Sequence, residues 1–137
     1  QKIDMVKSIL LLIFCSVISL SIVAKDARSF QGKASFYARK FNGRRTSSGE
    51  RYKNNGYTAA HRSLPYGTLL EVTNKSNGKK AVVRVNDRGP HRRKVLLDLS
   101  YAAAQKIGIV RRGIGNVRVR VLSKQEIPNA LYASARN

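Results

Sequence analysis

Carboxylates are the scarce chemical resource of this chain. Seven Asp and Glu face 27 Lys and Arg in 137 residues, a formal net charge of +20. Beyond residue 28 the acids are Glu50, Glu71, Asp87, Asp98 and Glu126. A carboxyl group held rigidly at a cleft can give a proton to a leaving oxygen and take one from an attacking hydroxyl. Asp87 is the leading candidate. It lies in Asn86-Asp87-Arg88-Gly89-Pro90, directly after an alternating apolar run, so a strand end would hold it beside an arginine. A plain turn would also account for these residue types, because Asp caps turns, Gly takes unusual backbone angles and Pro fixes one. Glu50 sits in the polar loop Thr46-Ser47-Ser48-Gly49-Glu50-Arg51-Tyr52. Asp98, between Leu97 and Leu99, reads better as a buried structural acid bonded to loop amides. Glu71 alternates with Leu70 and Val72 and reads as a solvent-facing partner of a lysine, and Glu126 falls in the tail.

Two histidines complete the titratable set. His61 follows the small residues Thr58-Ala59-Ala60, which permit close packing. A lone histidine is more often structural, but His61 gains weight if Glu50, Asp87, Tyr37 and Tyr52 converge on it. His91 precedes Arg92-Arg93-Lys94 and reads as part of an exposed basic loop.

Short strands are the elements that must position these groups. Candidates cover residues 33–37, 68–73, 80–86, 95–99 and 117–121, the last with Val117, Val119 and Val121 alternating with arginines. Asn77-Gly78 is a turn signal that makes residues 68–86 a β-hairpin. One helix is expected, capped by Ser100, formed by residues 101–107 and ended by Gly108. Many short strands with one short helix suggest a small β-barrel. Pattern alone gives no strand order.

Composition removes several function classes. One Cys excludes an intramolecular disulfide framework, and one Cys with two His is too few for an all-Cys/His zinc site. A carboxylate set for a metal stays open on composition alone, no metal site is expected, and no cofactor is implied. No phosphate-binding glycine loop is present. The charge invites a nucleic-acid reading, but the N-terminus opposes it. Lys7 precedes an uncharged stretch from Ser8 to Val23, then Ala24, which reads as a secretory signal. The stretch is shorter than the ~20 residues of a spanning helix. Cleavage after Ala24 would remove Cys15 and leave a thiol-free, exported, strongly basic protein. Ile22 is imperfect for the cleavage site, so an uncleaved anchor would be the protein's contact with a membrane. The expected organisation is an extension and signal over 1–24, a linker over 25–31, one domain over 32–122 and a tail over 123–137.

The motifs carry a resemblance. Gly32-Lys33-Ala34-Ser35-Phe36-Tyr37, Thr46-Ser47-Ser48-Gly49-Glu50, Thr58-Ala59-Ala60-His61, Asn86-Asp87-Arg88-Gly89-Pro90 and Leu97-Asp98-Leu99-Ser100 resemble, in order, the rare lipoprotein A (RlpA) family. The resemblance spans essentially the whole domain. It implies a mainly β fold, a six-stranded double-psi β-barrel with one or two short helices behind a signal segment. It implies an endolytic lytic transglycosylase of peptidoglycan, in some members preferring glycan strands stripped of stem peptides. With the export signal, the expected protein is periplasmic or cell-envelope associated in a bacterium, a monomer that works on cell-wall glycan in cell division and without nucleic acid. Asp87 matches the acid of related barrels, and Glu50 and His61 match positions that the family needs.

Roles follow from that match. Asp87 would serve as acid and base in turn, which calls for a pKa raised by burial or by a neighbour such as Glu50. Tyr37 and Tyr52 would stack on sugar rings, and Arg88 would hold a lactyl carboxylate or the Asp itself. There are departures. Phe36 stands where the family usually has Trp, and Val95 where an Arg commonly stands. The lipid-attachment signal and the C-terminal glycan-binding (SPOR) domain are missing. The competing expectation is a non-catalytic, expansin-like module that binds cell-wall polysaccharide.

Overall fold

The computed structural model describes residues 1–7, 28–123 and 126. The expected export segment, its cleavage point and most of the tail lie outside the described residues. In chain order the elements are β1 (Ser29–Phe36), a 3-10 turn (Arg39–Phe41), β2 (Thr58–Ala60), β3 (Leu69–Asn74), β4 (Lys80–Asp87), β5 (Leu97–Leu99), α1 (Tyr101–Ile107) and β6 (Gly115–Val121). The strands close into a barrel in the order β1-β5-β2-β4-β3-β6. This is the six-stranded barrel that the motifs imply. The β1–β5 and β2–β4 pairs are parallel, and the other four are antiparallel.

Period-two patterning fills the barrel. Ala81, Val83 and Val85 from β4, Leu70 and Val72 from β3, Val117 and Val119 from β6, and Leu97 and Leu99 from β5 are all buried. Each such Val or Leu contributes about 1.5–3 kcal/mol relative to exposure. Helix α1 adds Ala103, Ala104 and Ile107 to the same core. Its ends are those read from the sequence. The Ser100 side chain accepts from the Ala103 amide, and Gly108 ends the helix at φ 75°, a conformation that side-chain-bearing residues avoid.

The β3–β4 hairpin forms as read; across its connection the Asn74 amide donates to the Lys79 carbonyl at 2.9 Å, and Gly78 donates back to Asn74 at 2.8 Å. Strand β1 begins earlier than read, at Ser29, and β5 is shorter, covering only Leu97–Leu99. Strand β2 is unread in the sequence. It has only three residues, two of them Ala, and β propensity that weak gives no local signal. It forms because β4 and β5 flank it and satisfy its backbone on both sides.

The β2–β4 ladder also carries the irregularity that builds the site. Ala59 pairs with Val85, but Ala60 pairs with Asp87, so Asn86 is an extra residue in β4. Simple alternation would put Asp87 on the core face with Val83 and Val85. The bulge inverts the phase, burying Asn86 and leaving Asp87 half-buried at the barrel end.

Candidate active site

Asp87 sits in a cleft of about 520 Å³. The cleft is lined by Tyr37 at the end of β1, by residues 44–47, by Asp87 to His91, and by Asp98 of β5. The segment after β4 turns sharply there. Gly89 has φ 133°, which favours glycine, and the Gly89–Pro90 peptide is cis.

Hydrogen bonds surround the Asp87 carboxylate. Oδ1 accepts from the Ser47 amide at 2.8 Å, the Ser47 hydroxyl at 2.7 Å and the Arg88 amide at 2.8 Å. Oδ2 accepts from the Tyr37 hydroxyl at 2.5 Å. Burial opposes the charge, but the bonds from Tyr37, Ser47 and Arg88 outweigh it and hold Asp87 below the usual carboxylate range. This corrects the expectation of a raised pKa in the free site. Glu50 gives no upward push either, because it is turned to a different partner. The Tyr37 hydroxyl is pushed far above the usual tyrosine range, first by burial and then by its bond to Asp87, with the charges of Asp87 and Asp98 adding to it. It therefore stays a donor.

Glu50 forms a two-pronged ion pair with Arg84, at 2.6 and 2.8 Å, and accepts from Asn86 Nδ2 at 3.2 Å. It is absent from the cleft lining. The Arg84 bond is the main reason its carboxyl lies below the usual range.

His61 also stands outside the cleft lining. Its amide donates to the Asp87 carbonyl at 3.1 Å. Its Nδ1 accepts from the Ser63 and Leu64 amides at 3.1 and 3.0 Å, which places the proton of the neutral ring on Nε2. Burial depresses its pKa, aided by Arg62, Arg88 and Arg28. The His61 side chain thus pins a turn rather than a sugar-facing wall.

The aromatic and basic groups divide in the same way. Tyr37 and Tyr52 rings lie 4.7 Å apart. Tyr52 is only 2% exposed, and its hydroxyl accepts from the Tyr101 amide at 3.1 Å. It lines the cleft wall behind Tyr37 but is largely covered there, so it backs Tyr37 and offers a sugar little stacking face. The Arg88 guanidinium donates to the Leu64 and His61 carbonyls and lies 4.0 Å from the Tyr66 ring centroid. Only its backbone amide reaches the Asp87 carboxylate. His91 is exposed, as read, and lines the cleft. Phe36, at the Trp position, packs edge-on to Tyr101 at 6.0 Å and is not part of the cleft lining. Val95 is buried, and its carbonyl accepts from Arg62 at 2.8 Å.

Several site residues escaped the sequence reading. Ser47 supplies two donors to Asp87. Phe41, Arg44 and Arg45 line the cleft. Asp98 also lines it and accepts from the Ser35 hydroxyl, so it is no acid buried among loop amides. A signal was present: Leu97 and Leu99 point into the core, so alternation sends the Asp98 side chain the other way.

A closed barrel of this topology, with a carboxylate cleft at one end, is a double-psi β-barrel domain. The family model described as lytic transglycolase matches residues 29–119, and the chain belongs to that family. Its relatives there are RlpA proteins. It is 50% identical over 103 residues to the endolytic peptidoglycan transglycosylase RlpA of Vibrio cholerae, covering 74% of this chain and 39% of that protein. It is 52% identical over 100 residues to the probable endolytic peptidoglycan transglycosylase RlpA of Aquifex aeolicus, covering 73% of this chain and 44% of the relative. The match thus spans less than half the length of these relatives. Among solved structures, a Clavibacter michiganensis expansin in complex with cellohexaose superposes with a TM-score of 0.59 at 21% identity, over 74% of this chain and 54% of the expansin. Streptomyces papain inhibitor gives 0.57 at 22%, over 70% of this chain and 96% of that protein. At such identity these two speak to the fold alone.

Proposed function

We propose that this domain is an endolytic peptidoglycan lytic transglycosylase, acting outside the bacterial cytoplasm on glycan strands freed of stem peptides. The observation that carries the reading is the Asp87 carboxylate, fixed by Tyr37 and Ser47 in an open cleft, in a chain half identical to RlpA proteins named for this activity. The bond that breaks joins MurNAc C1 to the GlcNAc O4. The leaving oxygen takes a proton, the MurNAc C6 hydroxyl oxygen bonds to C1, and the hydroxyl proton passes to the carboxylate. The product is a 1,6-anhydro-MurNAc end, and no water is consumed.

In the free cleft Asp87 is charged, the form that stabilises a developing oxocarbenium and accepts the C6 hydroxyl proton. A sugar over Asp87 excludes water and strengthens the burial effect that already opposes this charge. That shift lets the same group deliver the first proton. Tyr37 supplies the sugar-facing aromatic surface, with Tyr52 behind it. Arg44, Arg45 and the Arg88 turn form basic banks for lactyl carboxylates. Glu50 and His61 serve as supports of Asp87, and the domain works as a monomer.

The test is mass spectrometry of soluble products from intact and amidase-stripped peptidoglycan, with Asp87→Asn and Asp98→Asn beside the parent. Anhydro ends lost in Asp87→Asn and kept in Asp98→Asn support the assignment. Loss in Asp98→Asn alone moves the acid to β5. Reducing ends mean a hydrolase. The absence of any product, with salt-sensitive pelleting on sacculi, would leave an expansin-like wall-binding module.

A further inference from the structure

We propose that the Glu50–Arg84 ion pair is a positioning device that locks the Ser47 loop onto Asp87, which makes Arg84 a working part of the site. Glu50 lies at the end of the loop 46–50, and its own carbonyl accepts from the Thr46 amide at 2.7 Å and the Thr46 hydroxyl at 2.9 Å. The loop is therefore a closed ring of backbone that carries Ser47. Besides the Ser47 bonds to Asp87, two attachments fasten that ring to β4. The Ser48 amide donates to the Asn86 carbonyl at 3.3 Å, and the Glu50 carboxylate grips Arg84 and Asn86. Arg84 is 14% exposed in its side chain, against 44% for Glu50, so the anchor point is the more rigid member of the pair.

The anchor lies beside the bulge that re-aims Asp87. Asn86, the bulged residue, is 2% exposed and serves both attachments. One short stretch of β4 thus presents Arg84 and Asn86 to the loop and Asp87 to the cleft. The loop returns the Ser47 amide and hydroxyl to Asp87 Oδ1. A bidentate guanidinium–carboxylate pair fixes direction as well as distance, which suits this use. Glu50 lies outside the cleft lining, so no sugar atom there needs to touch it for its loss to matter.

Other groups around Asp87 would keep their places in a Glu50 variant. They are Tyr37 just past β1, Arg88 and His91 from the following turn, Asp98 from β5, and Arg44 from the arm before the loop; Arg45, which donates to the Gly49 carbonyl, moves with the loop. A change in Asp87 titration on breaking the pair would then report the Ser47 donors.

The activity arm of this inference rests on the functional reading above, whereas its titration arm needs no substrate. The experiment follows the Asp87 carboxyl by carbon-13 NMR in the whole chain and measures turnover of stripped glycan. The variants are Glu50→Gln, Arg84→Gln and the reversed pair Glu50→Arg with Arg84→Glu. Each single variant is expected to raise the Asp87 midpoint towards its ordinary value and to cut kcat by about a hundredfold, the scale of a small misplacement at the reacting centre. The reversed pair is expected to restore both to within a few-fold. An unchanged Asp87 midpoint in Glu50→Gln overturns the proposal. So does a reversed pair that restores the midpoint yet stays inactive, because a Glu50 that touched substrate could not be replaced by Arg. Should the reversed pair not fold, Arg84→Gln decides: the same rise as in Glu50→Gln supports the lock, and no rise removes it. A parent chain inactive on every glycan would sink the functional reading and leave the titration result standing.

Discussion

Two cavities of similar scale among the described residues are built from opposite uses of polar side chains. The first, about 520 Å³, holds Asp87 and Asp98. The second, about 370 Å³, is lined by Lys33, Arg112, Ser76 and asparagines 74, 77 and 116, with no carboxylate. In the second, amides serve the backbone. Asn74 Nδ2 donates to the Ile107 carbonyl at 2.7 Å, and Asn77 Nδ2 to the same oxygen at 3.1 Å. Their Oδ1 atoms accept the Ser76 and Lys79 amides. These contacts close the end of α1 and the β3–β4 loop. In the first cavity, hydroxyls and amides converge on a side-chain charge instead. Satisfying backbone makes structure, and concentrating donors on one carboxylate makes a reactive group with a controlled charge.

Four substitutions would break or sharpen that contrast. Asp87→Asn removes the group on which the first cavity converges. It should cut the yield of anhydro products by about 10²–10⁴-fold, the range of a lost acid–base group, in a variant that still folds but unfolds at a lower temperature, because the charge that Tyr37, Ser47 and Arg88 stabilise is gone. Equal yields from the two proteins would end the assignment.

Tyr37→Phe removes one donor and keeps the ring. A hydrogen bond to a charged group is worth about 1.5–3 kcal/mol, so turnover should fall roughly 10–100-fold on that scale. The same change has a pH signature. Asp87 is held below its ordinary value of 3.8 when folded, so its stabilising contribution is whole above that value and drains as pH falls from there through the folded value. In Tyr37→Phe the acid limb of a denaturation series should be shallower. An identical limb would mean that the hydroxyl does not hold the charge.

At the other end, Asn74→Ala leaves the buried Ile107 carbonyl with only the longer Asn77 bond. Destabilisation of about 1–3 kcal/mol is expected in urea, with turnover unchanged at permissive temperature. Lost turnover in a folded variant would erase the distinction between the cavities. Ser100→Ala, which removes the cap of α1, should cost about 1 kcal/mol and is the smallest effect of the four. A cost near zero would show that core packing alone holds the helix.

Much of this was legible in the residues. The helix was readable to its ends because Ser100 and Gly108 act on atoms three or four positions away. The hairpin and the last strand were readable because valine alternation is a local pattern. The site was half legible. Asp87, Tyr37 and Arg88 are legible in their motifs, but the lowered pKa of Asp87 depends on Ser47 and Tyr37, which lie 40 and 50 positions away in the chain. Asp98 reads as a structural acid in the sequence although Leu97 and Leu99 on either side point inward, and how little of Tyr52 is exposed at the cleft wall shows only in the folded chain.

By itself, then, the amino-acid order determined which carboxylates exist, which runs alternate and where the helix is capped, because these depend on neighbours within one or two turns of chain. Tertiary structure decided the rest. It made a strand of Thr58–Ala60 by supplying partners on both sides. It placed the extra residue at Asn86, so that Asp87 left the core face for the cleft. And it brought the 46–50 loop onto β4. Barrel closure, register and bulges are settled by pairings between distant segments, whose free energy appears only when all the strands are present together.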